Sequence, residues 1–189
     1  LMPPEETAAK PWSVGIPVHC GEIVVMDDHG RELPRGETGE IWIAGPMVVP
    51  GYWGNPEATA REFAGGFWKS GDLGAIDADG HVRVLDRKKD MINRGGYKVY
   101  SVEVENVLAR HPAVIEAAVV GYPCEVLGER VRAHVHMSDA SPAALESLRA
   151  HAEAELADYK RPDMWAVEAD PLPRNPNGKV LKTALRDGG

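Results

Sequence analysis

The stretch VLDRKKDMINRGGYKVYSVEVENVL, residues 84–108, decides how the chain folds, because the character of the sequence changes within it. Val84 and Leu85 close an apolar run that reads as a strand. Asp86-Arg87-Lys88-Lys89-Asp90 then interrupts the pattern with consecutive charges. Met91 to Asn93 and Tyr97 to Tyr100 flank Gly95-Gly96, a spacing that predicts a bent β segment. Ser101 is placed to cap a helix. Glu103 and Glu105 fall in its first turn, where carboxylates suit the dipole, and Val104, Val107 and Leu108 recur at helical spacing until Pro112.

Toward the N-terminus the reading is mostly β. Residues 1–18 are rich in Pro, Glu, Ala and Gly and read as an irregular lead-in. Gly21 to Met26 and Gly39 to Ala44 are β-rich runs, with the turn residues Asp27-Asp28-His29-Gly30 between them. Pro46 to Asn55 reads as a loop and Pro56 to Phe63 as a short helix. Leu73 to Asp77 and His81 to Asp86 read as two strands joined by Asp77-Ala78-Asp79-Gly80. Toward the C-terminus, Val114 to Gly121 and Arg130 to Met137 read as strands. Ser141-Pro142 opens a helix with Leu145, Leu148, Ala152 and Leu156 on one face. Asp163 to Glu168 reads as a strand, Pro171 to Lys182 as a loop, and Val180 to Arg186 as a short closing helix. The expected fold class is α+β: a β-rich, barrel-like subdomain over 1–86, then a mixed α+β lid domain over 87–189 in β-α-β-β-α-β order, hinged near 86–90.

Charge narrows the partners. The chain of 189 residues carries a formal charge of −8, which disfavours nucleic acid. One segment opposes that balance: Arg83, Arg87, Lys88, Lys89, Arg94 and Lys98 face only Asp86 and Asp90. Such a patch suits a small phosphate-bearing ligand or a solvated face. No apolar run approaches the roughly 20 residues that span a bilayer, and Leu1 to Lys10 show no secretory pattern. The expectation is a cytoplasmic protein without a transmembrane segment. Cys20 and Cys124 lie far apart, which argues against a disulfide framework or zinc knuckle.

Three places could carry chemistry. Asp72, in Ser70-Gly71-Asp72-Leu73, can accept two hydrogen bonds from a vicinal diol such as ribose, or can close an Asx turn. In 86–90, Arg87 can fork onto phosphate or ribose oxygens, or the segment is a solvated hinge. Lys179 follows Pro173-Arg174-Asn175-Pro176-Asn177-Gly178. This is not a P-loop, because Pro173 stands where the first glycine belongs and Val180 where Ser or Thr belongs. It leaves a lysine at the tip of a proline-framed loop, facing nucleotide or solvent, and the loop is expected to be mobile. His134 and His136 alternate on one strand face as two zinc ligands would, but no third ligand is evident, so no metal site is assigned. Trp42, Tyr52, Trp53 and Trp68 can line an acyl pocket or pack the core.

Four segments, taken in order, resemble the adenylate-forming superfamily of acyl-CoA synthetases, aryl-CoA ligases, luciferases and peptide-synthetase adenylation domains. They are GETGEIWIAGPMVVPGYWGNPEATAREF (36–63), WKSGDL (68–73), the stretch quoted first, and LPRNPNGKVLK (172–182). The resemblance implies a C-terminal portion of an ATP-dependent acyl-CoA ligase. Such an enzyme forms an acyl-adenylate and then acyl-CoA from a carboxylic acid, with a fatty acid as the expected substrate. It implies that Asp72 holds the ribose hydroxyls of ATP and AMP, that Arg87 contacts ribose or phosphate, and that Lys89 is the hinge residue. It implies that Lys179 serves adenylation and that Gly95-Gly96 lines the pantetheine passage. Arg94, Lys98 and Lys88 are then candidates for the phosphates of coenzyme A. Magnesium would be held by ligands outside this chain.

The family's Gly-, Ser- and Thr-rich phosphate loop and its Tyr-Gly-x-Thr-Glu segment are absent. The chain is therefore expected to need an upstream N-terminal part of the same enzyme and to be inactive alone. The family allows a homo-oligomer. The context of Lys179 also matches lysines acetylated in related bacterial enzymes, a change that would remove the charge. Two rivals remain: an adenylating enzyme that loads a carrier protein, and a non-catalytic module that binds nucleotide or a protein partner.

Overall fold

The strand Phe67–Ile76 organises the N-terminal half, because three other strands pair with it along its length. The computed structural model describes Met2 and residues 4–187, the backbone only of Asp187. The outer ends of the two expected domains, Leu1 and Gly189, lie outside them. The chain divides into two compact units, one up to Lys89 and one from Asp90 onward.

The first unit contains α1 (Pro4–Ala9), β1 (Glu22–Met26), β2 (Gly39–Ala44), α2 (Pro56–Glu62), β3 (Phe63–Ala64), β4 (Phe67–Ile76) and β5 (Val82–Arg87). All pairings are antiparallel, in the order β1-β2-β4-β3 with β5 also on β4, forming a curled sheet. Val25, Ile41, Leu73 and Val82 are its buried apolar side chains. Asn55 caps α2 by accepting the Ala58 amide at 3.0 Å, with Pro56 in the first turn.

Two features differ from the sequence reading. The segment WKSGDL lies inside β4, whereas the expected strand began at Leu73. Gly71, with φ of 72°, hides the continuity by introducing a backbone state that few residues adopt. The lead-in is not wholly irregular, since Pro4–Ala9 is helical. Its support is tertiary. Lys10 Nζ lies 2.7 Å from Asp77 Oδ2 and 2.7 Å from Asp79 Oδ2. It also lies 3.0 Å from His81 Nδ1, and Glu6 meets His81 Nε2 at 3.0 Å. The ammonium donates to Nδ1, so Nε2 carries the hydrogen that Glu6 accepts.

The second unit contains β6 (Ile92–Arg94), β7 (Tyr97–Val99), α3 (Ser101–Leu108), β8 (Val114–Cys124), β9 (Gly128–Met137), α4 (Pro142–Glu155), β10 (Met164–Glu168) and α5 (Lys182–Asp187). A 3₁₀ turn, Asp158–Lys160, precedes β10. Strand β9 is central, antiparallel to β8 on one side and parallel to β10 on the other. Val119, Val131, Ala133 and Val135 on one face of this sheet pack with Val104, Val107 and Leu108 of α3 and Leu148 and Ala152 of α4. Ala118 and Val120 on the opposite face pack with Leu172, Val180 and Leu185. The α+β class follows, with α3 and α4 on one face and the C-terminal segment, α5 included, on the other.

Ser141 caps α4 as its sequence suggests, accepting the Ala144 amide at 3.2 Å. Ser101 does not precede its helix. Tyr100 holds the cap position, and Ser101 is the first helical residue. It is fully buried, and its hydroxyl accepts a hydrogen bond from Lys182 Nζ at 2.7 Å. Among the described residues no helix is long and apolar enough to cross a membrane.

Candidate functional site

In the first unit, Asp72 and Arg87 are cross-strand partners of β4 and β5. Arg87 Nε lies 2.8 Å from Asp72 Oδ1, and Arg87 Nη1 donates to the Ser70 carbonyl at 3.2 Å. Ser70 is buried. Its hydroxyl donates to the Ile41 carbonyl at 2.7 Å and accepts the Asp72 amide at 3.0 Å. The backbone under Asp72 is thus pinned to β2, while the carboxylate stays about a quarter exposed. Just beyond the pair, the Lys88 amide donates to the Gly71 carbonyl at 2.8 Å. The sequence reading places Ser70 beside Asp72 without giving it a role. A hydroxyl two residues before the acid, with a glycine between, is the signal for this local bond.

The basic patch is not uniformly available. Lys88 Nζ is 2.9 Å from Asp28 and 3.2 Å from Glu40; burial pulls its pKa down, and the hydrogen bonds and charges of the two carboxylates together outweigh it and leave the pKa raised. Arg94 is 2.6 Å from Asp163 Oδ1 and donates to the Asp158 carbonyl at 3.0 Å. Lys89 and Lys98 are exposed.

Gly95 and Gly96 form the two-residue turn between β6 and β7, with φ of 60° and 90°. Left-handed backbone at both positions is the signature of a hairpin whose twist matches its strands. The Asn93 side chain accepts the Gly96 amide at 3.1 Å, and the Gly95 amide donates to the Leu127 carbonyl at 2.8 Å. Tyr97 stacks on Tyr159, with ring centroids 4.8 Å apart.

Lys179 lies on a closed turn rather than a loose loop. Arg174 and Val180 form a β-bridge. The Asn175 amide donates to the Lys179 carbonyl at 2.8 Å, and the Asn175 carbonyl accepts the Gly178 amide at 2.9 Å. Asn175 Oδ1 also accepts the amides of Asn177 at 3.0 Å and Lys179 at 2.9 Å. Gly178 has φ of 80°. The Lys179 side chain is exposed, and its ammonium has no partner among the described residues. Asp72 and Arg87 thus come together in one unit, while Lys179 and the glycine hairpin belong to the other.

The remaining candidates separate. Tyr52 and Trp68, linked by a hydrogen bond of 3.0 Å, line an apolar cleft of about 370 Å³ with Phe63, Met47 and Ile43. Trp53 is fully exposed, and the Trp42 ring lies 5.1 Å from Lys69 Nζ. His134 is buried, with Nδ1 2.7 Å from Glu168 Oε1. Asp77, Asp79 and His81 have ligand atoms close enough to share a cation, and the Lys10 ammonium already sits among them. That ammonium lowers the Asp77 pKa to about 2.

Comparison with known proteins identifies the class. Residues 1–53 match the family described as AMP-binding enzyme, and residues 103–179 match the AMP-binding enzyme C-terminal domain. Both matches are consistent with the C-terminal part of an adenylate-forming, AMP-binding enzyme. It is 42% identical over 175 residues to a long-chain-fatty-acid–CoA ligase of Yersinia pestis, covering 93% of this chain and 31% of the relative. It is 43% identical over 163 residues to the fatty acid–[acyl-carrier-protein] ligase ScoC of Streptomyces coeruleorubidus, covering 86% of this chain and 31% of the relative. Among solved structures, o-succinylbenzoate CoA synthetase (MenE) of Bacillus subtilis in complex with its acyl-adenylate intermediate superposes with a TM-score of 0.91 at 37% identity. That match covers 98% of this chain and 38% of the other. The chain spans about a third of the length of the curated relatives it matches.

Proposed function

We propose that the chain is the C-terminal portion of an ATP-dependent acyl-CoA ligase that adenylates a carboxylic acid, with a fatty acid the favoured substrate, and then transfers the acyl group to coenzyme A. The observation that carries the reading is the exposed ammonium of Lys179, without a partner among the described residues, on a backbone-closed turn in a chain whose other unit holds Asp72 and Arg87 as a pair. A carboxylate attacking the α-phosphorus brings two anions together. A lysine delivered on a shaped turn offsets the charge that builds on the phosphoryl oxygens and orients both reactants. The free edge of Asp72 accepts the ribose hydroxyls, and Arg87 turns its remaining N–H groups to ribose or phosphate.

For the second step, rotation at Lys89 would exchange the Lys179 turn for the Gly95-Gly96 hairpin. Glycines there let backbone approach the narrow pantetheine arm. Lys98 is the exposed cation of that hairpin and the favoured contact for coenzyme A phosphates. Arg94 shapes the hairpin's surroundings through Asp163 and Asp158. A related structure was solved with ATP and a magnesium ion. The Asp77, Asp79 and His81 group already holds the Lys10 ammonium, so it is not assigned to magnesium, whose ligands would lie outside this chain. A carrier protein is the alternative acceptor, favoured by the likeness to ScoC.

ATP–pyrophosphate exchange tests the reading. The 189-residue chain should be silent alone. Exchange should appear when the N-terminal part of the Yersinia pestis relative is joined ahead of it, and disappear in Lys179→Ala. Exchange by the chain alone, or survival in Lys179→Ala, would overturn it. Supplying free coenzyme A against a carrier phosphopantetheine separates the two acceptors.

A further inference from the structure

We infer that Glu116 and Arg174 form a clamp that positions Lys179 for adenylation. The inference rests on the role proposed above for that lysine. A lysine side chain is a flexible stem with a point charge at its end, so its aim depends on how firmly its backbone is held. The hydrogen bonds of Asn175 fix the internal shape of the 175–179 turn. They do not tie the turn to the rest of the fold.

That tie runs through a carboxylate on β8. Glu116 Oε1 accepts the Leu172 amide at 2.7 Å, at the point where the segment enters the turn. Glu116 Oε2 pairs with Arg174 Nη2. The other arm of the same guanidinium, Nη1, donates to the Gly178 carbonyl at 2.6 Å, on the residue directly before Lys179. A planar, rigid group therefore bridges a strand carboxylate and the backbone that carries the lysine. Arginine can make both bonds at once in a fixed geometry, and lysine cannot. Glu116 is largely shielded, with its side chain 16% exposed, so solvent competes weakly for its end of the pair. On the far side of the turn, Lys182 Nζ lies 2.6 Å from Glu105 and 2.7 Å from Ser101, both on α3. The turn is held from both flanks, and the Lys179 ammonium projects from it without a partner among the described residues.

Neither Glu116 nor Arg174 belongs to the apolar cluster of Ala118, Val120, Leu172 and Leu185 that packs this segment on the sheet. Removing the clamp should loosen the turn without emptying the core. Displacement of a catalytic group by about 1 Å can cost on the order of 100-fold in rate.

The experiment uses two preparations. In the full 189-residue chain, hydrogen exchange at the Gly178 and Lys179 amides should speed up in Glu116→Gln and in Arg174→Ala, while β9 keeps its protection. In the fusion with the N-terminal part of the Yersinia pestis relative, both variants should lower kcat for adenylation by on the order of 100-fold. KM for ATP should hold, and so should thioester formation from supplied acyl-adenylate. Arg174→Lys keeps the charge but cannot bridge, and should fall with Arg174→Ala; full activity in it would overturn the clamp. An equal fall in both half-reactions, or loss of β9 protection, would also overturn it, because that is the mark of general damage. If Lys179→Ala abolishes adenylation while Glu116→Gln and Arg174→Ala leave it intact, the clamp alone fails. If Lys179→Ala leaves adenylation intact, the proposed role of the lysine fails and the clamp falls with it.

Discussion

Asp72 and Arg87 face each other across β4 and β5 with Nε and Oδ1 2.8 Å apart, each retaining exposed hydrogen-bonding edges. Arg87 is nearly half exposed, so the pair itself adds little to stability, under about 1 kcal/mol. Asp72→Asn should leave the unfolding midpoint in urea almost unchanged. It should weaken ATP binding by about 1.5–3 kcal/mol, the usual cost of losing a hydrogen bond to a charged group. Titration of a fluorescent ATP analogue against the fusion enzyme measures it. A large stability loss with unchanged nucleotide affinity would assign the pair to structure.

Asn175→Ala removes the side-chain oxygen that accepts the Asn177 and Lys179 amides. Both amides can turn to water, so the global stability loss should be small, about 0.5–1.5 kcal/mol. The local effect should be larger: faster exchange of the Lys179 amide and a lower rate of ATP–pyrophosphate exchange. An unaltered exchange rate at Lys179 would show that the turn is held without the Asn175 side chain.

Ser101→Ala should be costly for so small a change. The hydroxyl is fully buried and takes a hydrogen bond from the Lys182 ammonium. Its loss leaves a partly shielded cation that keeps its ion pair with Glu105 at 2.6 Å. A loss of about 1–3 kcal/mol is expected in chemical denaturation. Lys182→Met, which removes the charge together with the need to solvate it, should cost less in the Ser101→Ala background than in the wild type.

Two sites give opposite ends of the acid range. Asp77 has its pKa lowered from 3.8 to about 2, first by the hydrogen bond from Lys10. A depressed folded pKa contributes stability that is fully present above the unfolded value and lost as pH falls through the folded one. The docking of α1 on the β4–β5 turn should therefore weaken between about pH 4 and pH 2, and Asp77→Asn should remove that transition. His111 is also lowered, from 6.5, first by burial and then by repulsion from His151, whose ring centroid lies 5.7 Å away. Its neutral form is favoured in the fold, so stability should decline as pH drops below 6.5 toward the depressed value. Circular-dichroism melts across this range, compared with His111→Gln, read the effect.

Acetylation of Lys179 would cancel the charge that the proposed chemistry needs. The side chain is exposed and its ammonium has no partner among the described residues, so an acetyltransferase should reach it. Intact-mass and peptide mass spectrometry after treatment should place the group on Lys179. Activity of the fusion should fall in proportion to modification. Full activity at complete acetylation would remove the ammonium from the mechanism.

Much of the fold is legible because local periodicity and turn chemistry act over a few residues. The alternation in β2 and β9, the Ser141-Pro142 start of α4 and the Gly95-Gly96 turn all follow from side chains that choose a backbone state by themselves. The four segments that carry the family resemblance are likewise strings, readable without coordinates. What the sequence could not give is every relationship that depends on closure of the sheets. Ser101 reads as a cap because serine caps locally, yet burial beneath Lys182, 81 residues further on, gave its hydroxyl another partner. Pro4–Ala9 is too short to be a stable helix by itself, and becomes one where Lys10 and Glu6 meet the turn at Asp77, Asp79 and His81. Glu116 and Arg174 stand 58 residues apart, and although Arg174 lies in the 172–182 segment nothing in the string pairs the two. The sequence by itself determined most of the elements, their order and the residue types available for adenylate chemistry. Tertiary structure alone decided which charges are consumed in pairs, as in Arg94 with Asp163, and which remain open, as in Lys179, because such pairing requires distant strands to be brought within about 3 Å.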